Sequence, residues 1–457
     1  MKATLHTLQR RGHILMKRFV SNQIWNNFLR SFPFWIASLL TGLLAVGYAL
    51  LFSVAEKGTQ YVFHNYPLAL FALTPLCFLL AWWIVRQWAP GARGSGIPQV
   101  MAAIELATPA HSGRIGKLLS LRIIVVKIMS SITMVLGGAA IGREGPTIQI
   151  AGSVFYVINR WLPARWPKLS DQSYILTGAA AGLAAAFNTP LGGVVFAMEE
   201  LARIHIRYFR TALFSAVIIA GLTAQGILGP YLYIGYPKVS GAHFTLFFMV
   251  ALTAVLAGAG GAVMSRLILA LLRWRNALAS GWKNVLYLLA SGLVVAAIAY
   301  FLNPEILGSG KELMTRVLFT TQKHEEWHGA VLRILGPVLA FGTGAAGGVF
   351  APSLAAGASL GAYAASLLEV SGANANILIL GGMVGFLTGV TRTPFTSAIL
   401  VLEMTDRHSI IFHLLLAALV AQVAALLIDR HSFYDHLKKQ ILQAEKPATT
   451  PAVRQGE

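Results

Sequence analysis

Hydrophobic positions along this chain gather into long blocks. Residues 33–55, 67–86, 119–141, 209–229, 243–265, 284–301 and 408–428 each form a mostly apolar stretch near the roughly 20 residues that a helix needs to cross a bilayer. Two further blocks, 177–198 and 374–403, are apolar but broken by glycine and proline. The pattern predicts an all-α, multi-pass membrane protein with ten or more helical segments.

Composition agrees with the pattern. Of 457 residues, 56% are hydrophobic and only 12% charged, against nearer a quarter charged in soluble domains. The net charge of +19 would suggest nucleic acid in a soluble protein, but here it has a topological source. Residues 1–31 carry Lys2, Arg10, Arg11, Lys17, Arg18 and Arg30 and no acid. The positive-inside rule places that arm in the cytoplasm, and it lacks the apolar core and small-residue cleavage site of a signal peptide. From Arg430 onward five Lys or Arg stand against three acids, which favours the same side. Cys77 is the single cysteine, so no internal disulfide forms.

Charge inside the apolar blocks is rare. Between Ile128 and Asn159 the ionised residues are Arg143 and Glu144, in GAAIGREGP (138–146). At bilayer depth each charge costs about 2.5–3.5 kcal/mol on insertion scales, so the pair needs a function or a partner. The same stretch has a counterpart in GAAGGVFAP (344–352), sharing G-A-A-x-G-x-x-x-P at an offset of 206. A second pair, TPLGGVVFAME (189–199) and TPFTSAILVLE (393–403), repeats at an offset of 204. Two matches in the same order argue for an internal duplication, a common build for secondary transporters. Charge bias allows either inverted halves with an odd number of crossings each or parallel halves with an even number.

Three G-x-x-x-P pentads, GSGIP (94–98), GREGP (142–146) and GVFAP (348–352), open apolar segments. Proline suits the first turn of a helix and glycine permits the tight backbone before it. Each pentad reads either as a helix begun inside the membrane or as a helix break in a surface loop. In the first case, free N–H groups and the helix dipole make an anion site, one that could hold a dehydrated anion without a full positive charge beside it.

These pentads resemble the three selectivity-filter segments of the ClC family of chloride channels and chloride/proton antiporters. GAAAGLAAAFNTPLGGVVFAMEE (178–200), LVLEMTD (400–406) and the tyrosine of HSFYDH (431–436) extend the resemblance in order over roughly residues 33–440. It implies the ClC-type inverted-repeat fold, with many tilted and discontinuous helices, and a homodimer with a separate pathway in each subunit. The expected organisation is a basic cytoplasmic arm (1–31), a first membrane repeat (32–210), a second (211–430), and a cytoplasmic helix and tail (431–457) without the CBS domains of some relatives. The expected location is the cell membrane, or the inner membrane of a Gram-negative cell, with both termini cytoplasmic.

The resemblance also implies roles. The anion would be held by the GSGIP turn (Gly94, Ser95, Gly96, Ile97), the amides of Val349 and Phe350, and the Ser95 and Tyr434 hydroxyls. Such donors carry no charge, so binding stays reversible. Taken alone, Ser95 reads as a turn residue and Tyr434 as an interfacial aromatic. Glu144 falls at the family's external gating glutamate, a tethered competitor for the anion site, with Arg143, Gly145 and Pro146 in support. Without the family, Arg143 and Glu144 would be a structural ion pair, although adjacent residues seldom pair well. Glu200 falls at the inner proton-transfer glutamate of antiporters, with Glu199 expected to assist water entry; read alone, Glu200 is a helix-capping acid near arginines. Glu200 favours chloride/proton exchange over passive conduction on the same fold, and Ser95 favours chloride. Chloride, protons and lipid are the expected partners; no enzyme activity, cofactor, metal or nucleic acid is implied.

Two departures stand out. Gln99 follows GSGIP where close relatives often carry glutamate, removing an acidic partner. Lys127 is a lone cation in an apolar block and is expected to pair with Glu105. A further motif, HEEWH (324–328), matches the zinc-protease pattern H-E-x-x-H and raises a rival reading as an intramembrane metalloprotease. It sits in a polar stretch beside Lys323 with no obvious third ligand, as a loop coincidence would.

Overall fold

The computed structural model describes residues 22–445, except 110, 202–208, 230–231, 241–243, 279–280, 322 and 324. Among the described residues it is built from helices, in the order α1 (Asn22–Asn65), α2 (Leu70–Trp88), α3 (Ile97–Leu106), α4 (Leu121–Leu136), α5 (Glu144–Trp161), α6 (Asp171–Phe187), α7 (Pro190–Phe196) and α8 (Arg210–Leu228). There follow α9 (Phe244–Asn276), α10 (Gly281–Phe301), α11 (Lys311–Phe319), α12 (Trp327–Gly342), α13 (Phe350–Leu367), α14 (Gly372–Thr391), α15 (Pro394–Thr405), α16 (Ile411–Ile428) and α17 (Phe433–Ala444).

Eight helical stretches among the described residues are long and apolar enough to cross a membrane. Some exceed the need. At 1.5 Å per residue the 33 residues of α9 extend about 50 Å, well beyond a hydrocarbon core of about 30 Å, which a helix accommodates by tilting. Leu50, Leu51, Val54, Phe248 and Leu267 on the long outer helices are exposed, as suits a lipid-facing surface. The central helices are different. α5 is buried from Glu144 through Tyr156, and most of α13 is buried as well.

The duplication is visible in the backbone. α5 and α13 each have 18 residues and begin at equivalent positions, Glu144 and Phe350. α6 and α14 both end on a left-handed residue, Asn188 (φ 57°) and Arg392 (φ 62°), followed by Thr-Pro and the next helix. Gly142 and Gly348, also equivalent, donate to each other's carbonyls at 2.8 and 2.7 Å in an isolated antiparallel bridge. A reciprocal antiparallel pair between matching residues is what a two-fold axis between inverted halves produces. Glu199 and Glu403 repeat the theme. Glu199 accepts from the Phe395 and Thr396 N–H groups at 3.1 and 2.7 Å, capping α15, and Glu403 accepts from Leu191 and Gly192 at 3.0 and 2.6 Å, capping α7. Each half closes an open helix end of the other.

Candidate functional site

The three pentads converge. Gly94 N–H donates to Ala345 O at 2.8 Å and Gly347 N–H donates back to Gly94 O at 3.0 Å, so GSGIP is stitched to the strand-like run before α13. That run is in turn bridged to GREGP through Gly142 and Gly348. Three helices, α3, α5 and α13, therefore start side by side in the interior. Their first N–H groups have no intrahelical acceptor. Gly96, the N-cap of α3, has φ 103°, and a Cβ there would fall 2.7 Å from the Gln149 Cβ; glycine is required on both counts. A Cβ on Gly145 would collide with the Ser95 hydroxyl, so α5 packs directly on the GSGIP turn.

The carbonyls of that turn are held out of the way. Gly91 O accepts from Gln149 Nε2 at 2.9 Å, and Arg93 O from Gln99 Nε2 at 2.6 Å. Ala92 O and Gly94 O both accept from the buried Lys127 ammonium at 2.8 Å. Four consecutive acceptors are thus satisfied by side chains, which leaves the donor side of the turn for an anion. Gln99 can donate in this way where an ionised glutamate could not. The expected Lys127–Glu105 pair does not form. Lys127 is turned to the start of α3, whereas Glu105 lies at its far end and pairs with the buried Lys438 of α17 at 2.9 Å.

That ion pair ties α17 to α3, and with it Tyr434 to Ser95. The Tyr434 hydroxyl lies next to Ser95, both residues are almost fully buried, and neither hydroxyl oxygen has a hydrogen-bond partner beyond the other among the described residues. Phe350, the first residue of α13, stacks on the Tyr434 ring at 6.2 Å, and Val349 is its N-cap. The sequence-predicted anion residues Gly94, Ser95, Gly96, Ile97, Val349, Phe350 and Tyr434 are therefore brought to one place. Arg86, Arg93 and Arg275, with no carboxylate among the described residues beside them, line a cavity of about 310 Å³ that opens onto Ser95, a mouth whose charge attracts anions.

Glu144 is 1% exposed. Its carboxylate is folded toward its own backbone N–H and that of Ala351, between the starts of α5 and α13. Oε1 accepts from the Tyr233 hydroxyl at 3.3 Å. Arg143, half-buried, is the adjacent residue in the chain, and its carbonyl accepts from Thr147 N–H at 2.9 Å. Tyr233 is a site residue that sequence reasoning missed. It belongs to a loop, packs edge-on against Phe187 at 4.9 Å, and carries the Lys311 ammonium 4.9 Å from its ring centroid. Lys311 lines a second cavity of about 670 Å³ with Glu56, Lys57, Glu312 and Arg333.

Glu200 sits on a single π-helical turn, Ala197–Leu201, continuing α7; such turns reorient side chains without ending a helix. It lies within electrostatic reach of Tyr434. Glu199, expected to assist water entry, accepts with both oxygens from the α15 cap and from the Thr396 hydroxyl. Phe187, Phe196 and Phe350 form a buried aromatic chain, with ring centroids 6.3–6.4 Å apart, leading from Tyr233 toward Tyr434. The zinc-protease reading gains no support. His324 lies outside the described residues, Glu325 is bound by Arg316, and His328 pairs with Glu326 at 3.0 Å.

Interrupted helices meeting at a buried, donor-rich centre, within two inverted halves, define a multi-pass membrane transport protein of the ClC build. The chain belongs to the voltage gated chloride channel family, whose model matches residues 77–426. It is 28% identical to the H(+)/Cl(-) exchange transporter ClcA of Salmonella arizonae, over 91% of each chain. It is 29% identical to the H(+)/Cl(-) exchange transporter ClcA of Yersinia pestis, over 92% of this chain and 89% of that one. Solved structures share the fold: a slow cyanobacterial Cl-/H+ antiporter (TM-score 0.77, 24% identity, 91% of this chain and 98% of that one) and a CLC-type fluoride/proton antiporter (TM-score 0.75, 18% identity, 89% and 97%).

Proposed function

We propose that the protein exchanges chloride for protons across the membrane, with a complete pathway in each subunit of a homodimer and both termini cytoplasmic. The observation that carries this reading is the pairing of two buried hydroxyls, Ser95 and Tyr434, which have no partner beyond each other among the described residues, with a buried carboxylate, Glu144, folded onto the neighbouring helix starts. Hydroxyls and amides donate to chloride and release it, because they add no fixed charge. The Glu144 carboxylate competes for the same donors. Protonation ends its claim on them and admits chloride, and the proton then leaves with the side chain. Glu200 supplies the stop for protons on the Tyr434 side. The aromatic chain between the two glutamates offers no titratable relay, so we infer that water carries the proton across it. Relatives named as H(+)/Cl(-) exchange transporters over nine-tenths of the chain favour exchange over passive conduction.

The test is made in vesicles loaded with chloride and diluted into low chloride. Exchange predicts inward proton movement that acidifies the lumen, even against a small opposing pH gradient. Chloride efflux with no chloride-driven proton uptake would identify a channel and overturn the reading.

A further inference from the structure

We propose that Asp429, His431 and His436 form a binding site for a zinc-class divalent metal ion, which clamps the turn between α16 and α17. One ligand atom from each residue lies within 4.8 Å of the others. His436 Nε2 is already 3.2 Å from Asp429 Oδ2, and a tetrahedral site with bonds near 2.0–2.1 Å needs ligand separations of about 3.4 Å. The rings of His431 and His436 have centroids 5.4 Å apart. His431 is exposed, so a change of rotamer brings its imidazole in and leaves an open side for a water ligand.

The donor set selects the metal. Two imidazoles and a carboxylate suit zinc, cobalt or nickel; calcium and magnesium prefer all-oxygen shells. The turn is preorganised. His431 N–H donates to Asp429 Oδ1 at 3.0 Å, and the Ser432 hydroxyl caps α17 by accepting from Asp435 N–H at 2.9 Å. Arg266 opposes the metal, with Nε 3.8 Å from Asp429 Oδ2. Its side chain is 58% exposed and its Nη2 donates to the Ile428 carbonyl, so it keeps an acceptor when the metal takes the Asp429 carboxylate. Arg392 holds the Asp429 backbone carbonyl at 3.1 Å, which leaves the carboxylate available.

His431 and His436 straddle Tyr434. A metal joining them to Asp429, at the end of α16, fixes the first turn of α17 and with it the hydroxyl beside Ser95. The expected consequence, which rests on the role proposed above for Tyr434, is slower exchange when the metal is bound.

Binding is tested first and without transport. Purified protein stripped of metal is titrated with zinc against a chromophoric chelator, and with cobalt to read coordination from its visible spectrum. One high-affinity ion per subunit is expected. Binding should weaken about tenfold or more in the double variant His431→Ala, His436→Ala, as for other losses around a metal, and should persist in His328→Ala. Equal zinc affinity in the wild type and the double variant, or no binding in either, would overturn the site. In vesicles, zinc should slow chloride/proton exchange by the wild type at least threefold relative to its own metal-free rate and leave the double variant's rate unmoved. Binding without slowing would overturn the clamp. Absence of exchange in the metal-free wild type would count against the transport reading, not against the metal site.

Discussion

Single side chains set the balance at the centre of this protein. Glu144 is held by one hydroxyl, that of Tyr233 at 3.3 Å, in addition to backbone N–H groups. Hydrogen bonds to a charged group contribute about 1.5–3 kcal/mol at good geometry, and less at this length. Tyr233→Phe should therefore release Glu144 from its inward position more often and raise the chloride exchange rate about threefold, measured as chloride efflux from vesicles. An unchanged rate would show that the contact does not restrain the carboxylate. Sequence reading singled out Ser95, Glu144 and Tyr434 because short patterns carry them, but it had no means of singling out Tyr233. That residue comes from a loop with no periodicity, and only the fold brings it to Glu144. The misassigned Lys127–Glu105 pair has a similar origin. Sequence shows two opposite charges in neighbouring helices but not that the ten-residue α3 separates one from the other.

The short helices act through their ends. α3 presents donors at its start only because Lys127, Gln99 and Gln149 take the four carbonyls that precede it. At its other end Glu105 holds Lys438 of α17, one turn beyond Tyr434, so the distance between Ser95 and Tyr434 depends on an ion pair at the far end of α3. Removing one member of a mostly buried pair leaves the other poorly satisfied. Lys438→Met is expected to weaken chloride binding about tenfold in calorimetry while the protein remains folded. If affinity is retained, α17 is positioned by packing alone. The starts of α5 and α13 were legible from proline and glycine spacing. The place of α17 was not, since its contacts with α3 span more than 300 residues of sequence.

At the scale of the molecule, duplication explains why the centre can be built at all. Open helix ends in a bilayer need partners. Here each half supplies them to the other, through the Gly142–Gly348 bridge and the matched Glu199 and Glu403 caps. The repeat was readable at offsets of 206 and 204, whereas the reciprocity of the caps was not, because it depends on which halves face each other. On the proposed reading, the same architecture separates an anion route from a proton route. Anion donors gather at Ser95 and Tyr434, while Glu200 stands on a π-helical turn to one side. Glu200→Gln should suppress proton flux and still pass chloride; loss of both together would place Glu200 in the anion route itself.

The central claim is that a carboxylate and chloride compete for one set of donors. Chloride binding to the purified protein, followed by calorimetry in buffers of different ionisation enthalpy, reads that competition directly. Displacing Glu144 favours its protonation, so chloride binding to the wild type should take up protons. Glu144→Gln should bind chloride more tightly and take up none. Equal affinity and equal proton uptake in the two proteins would contradict the account.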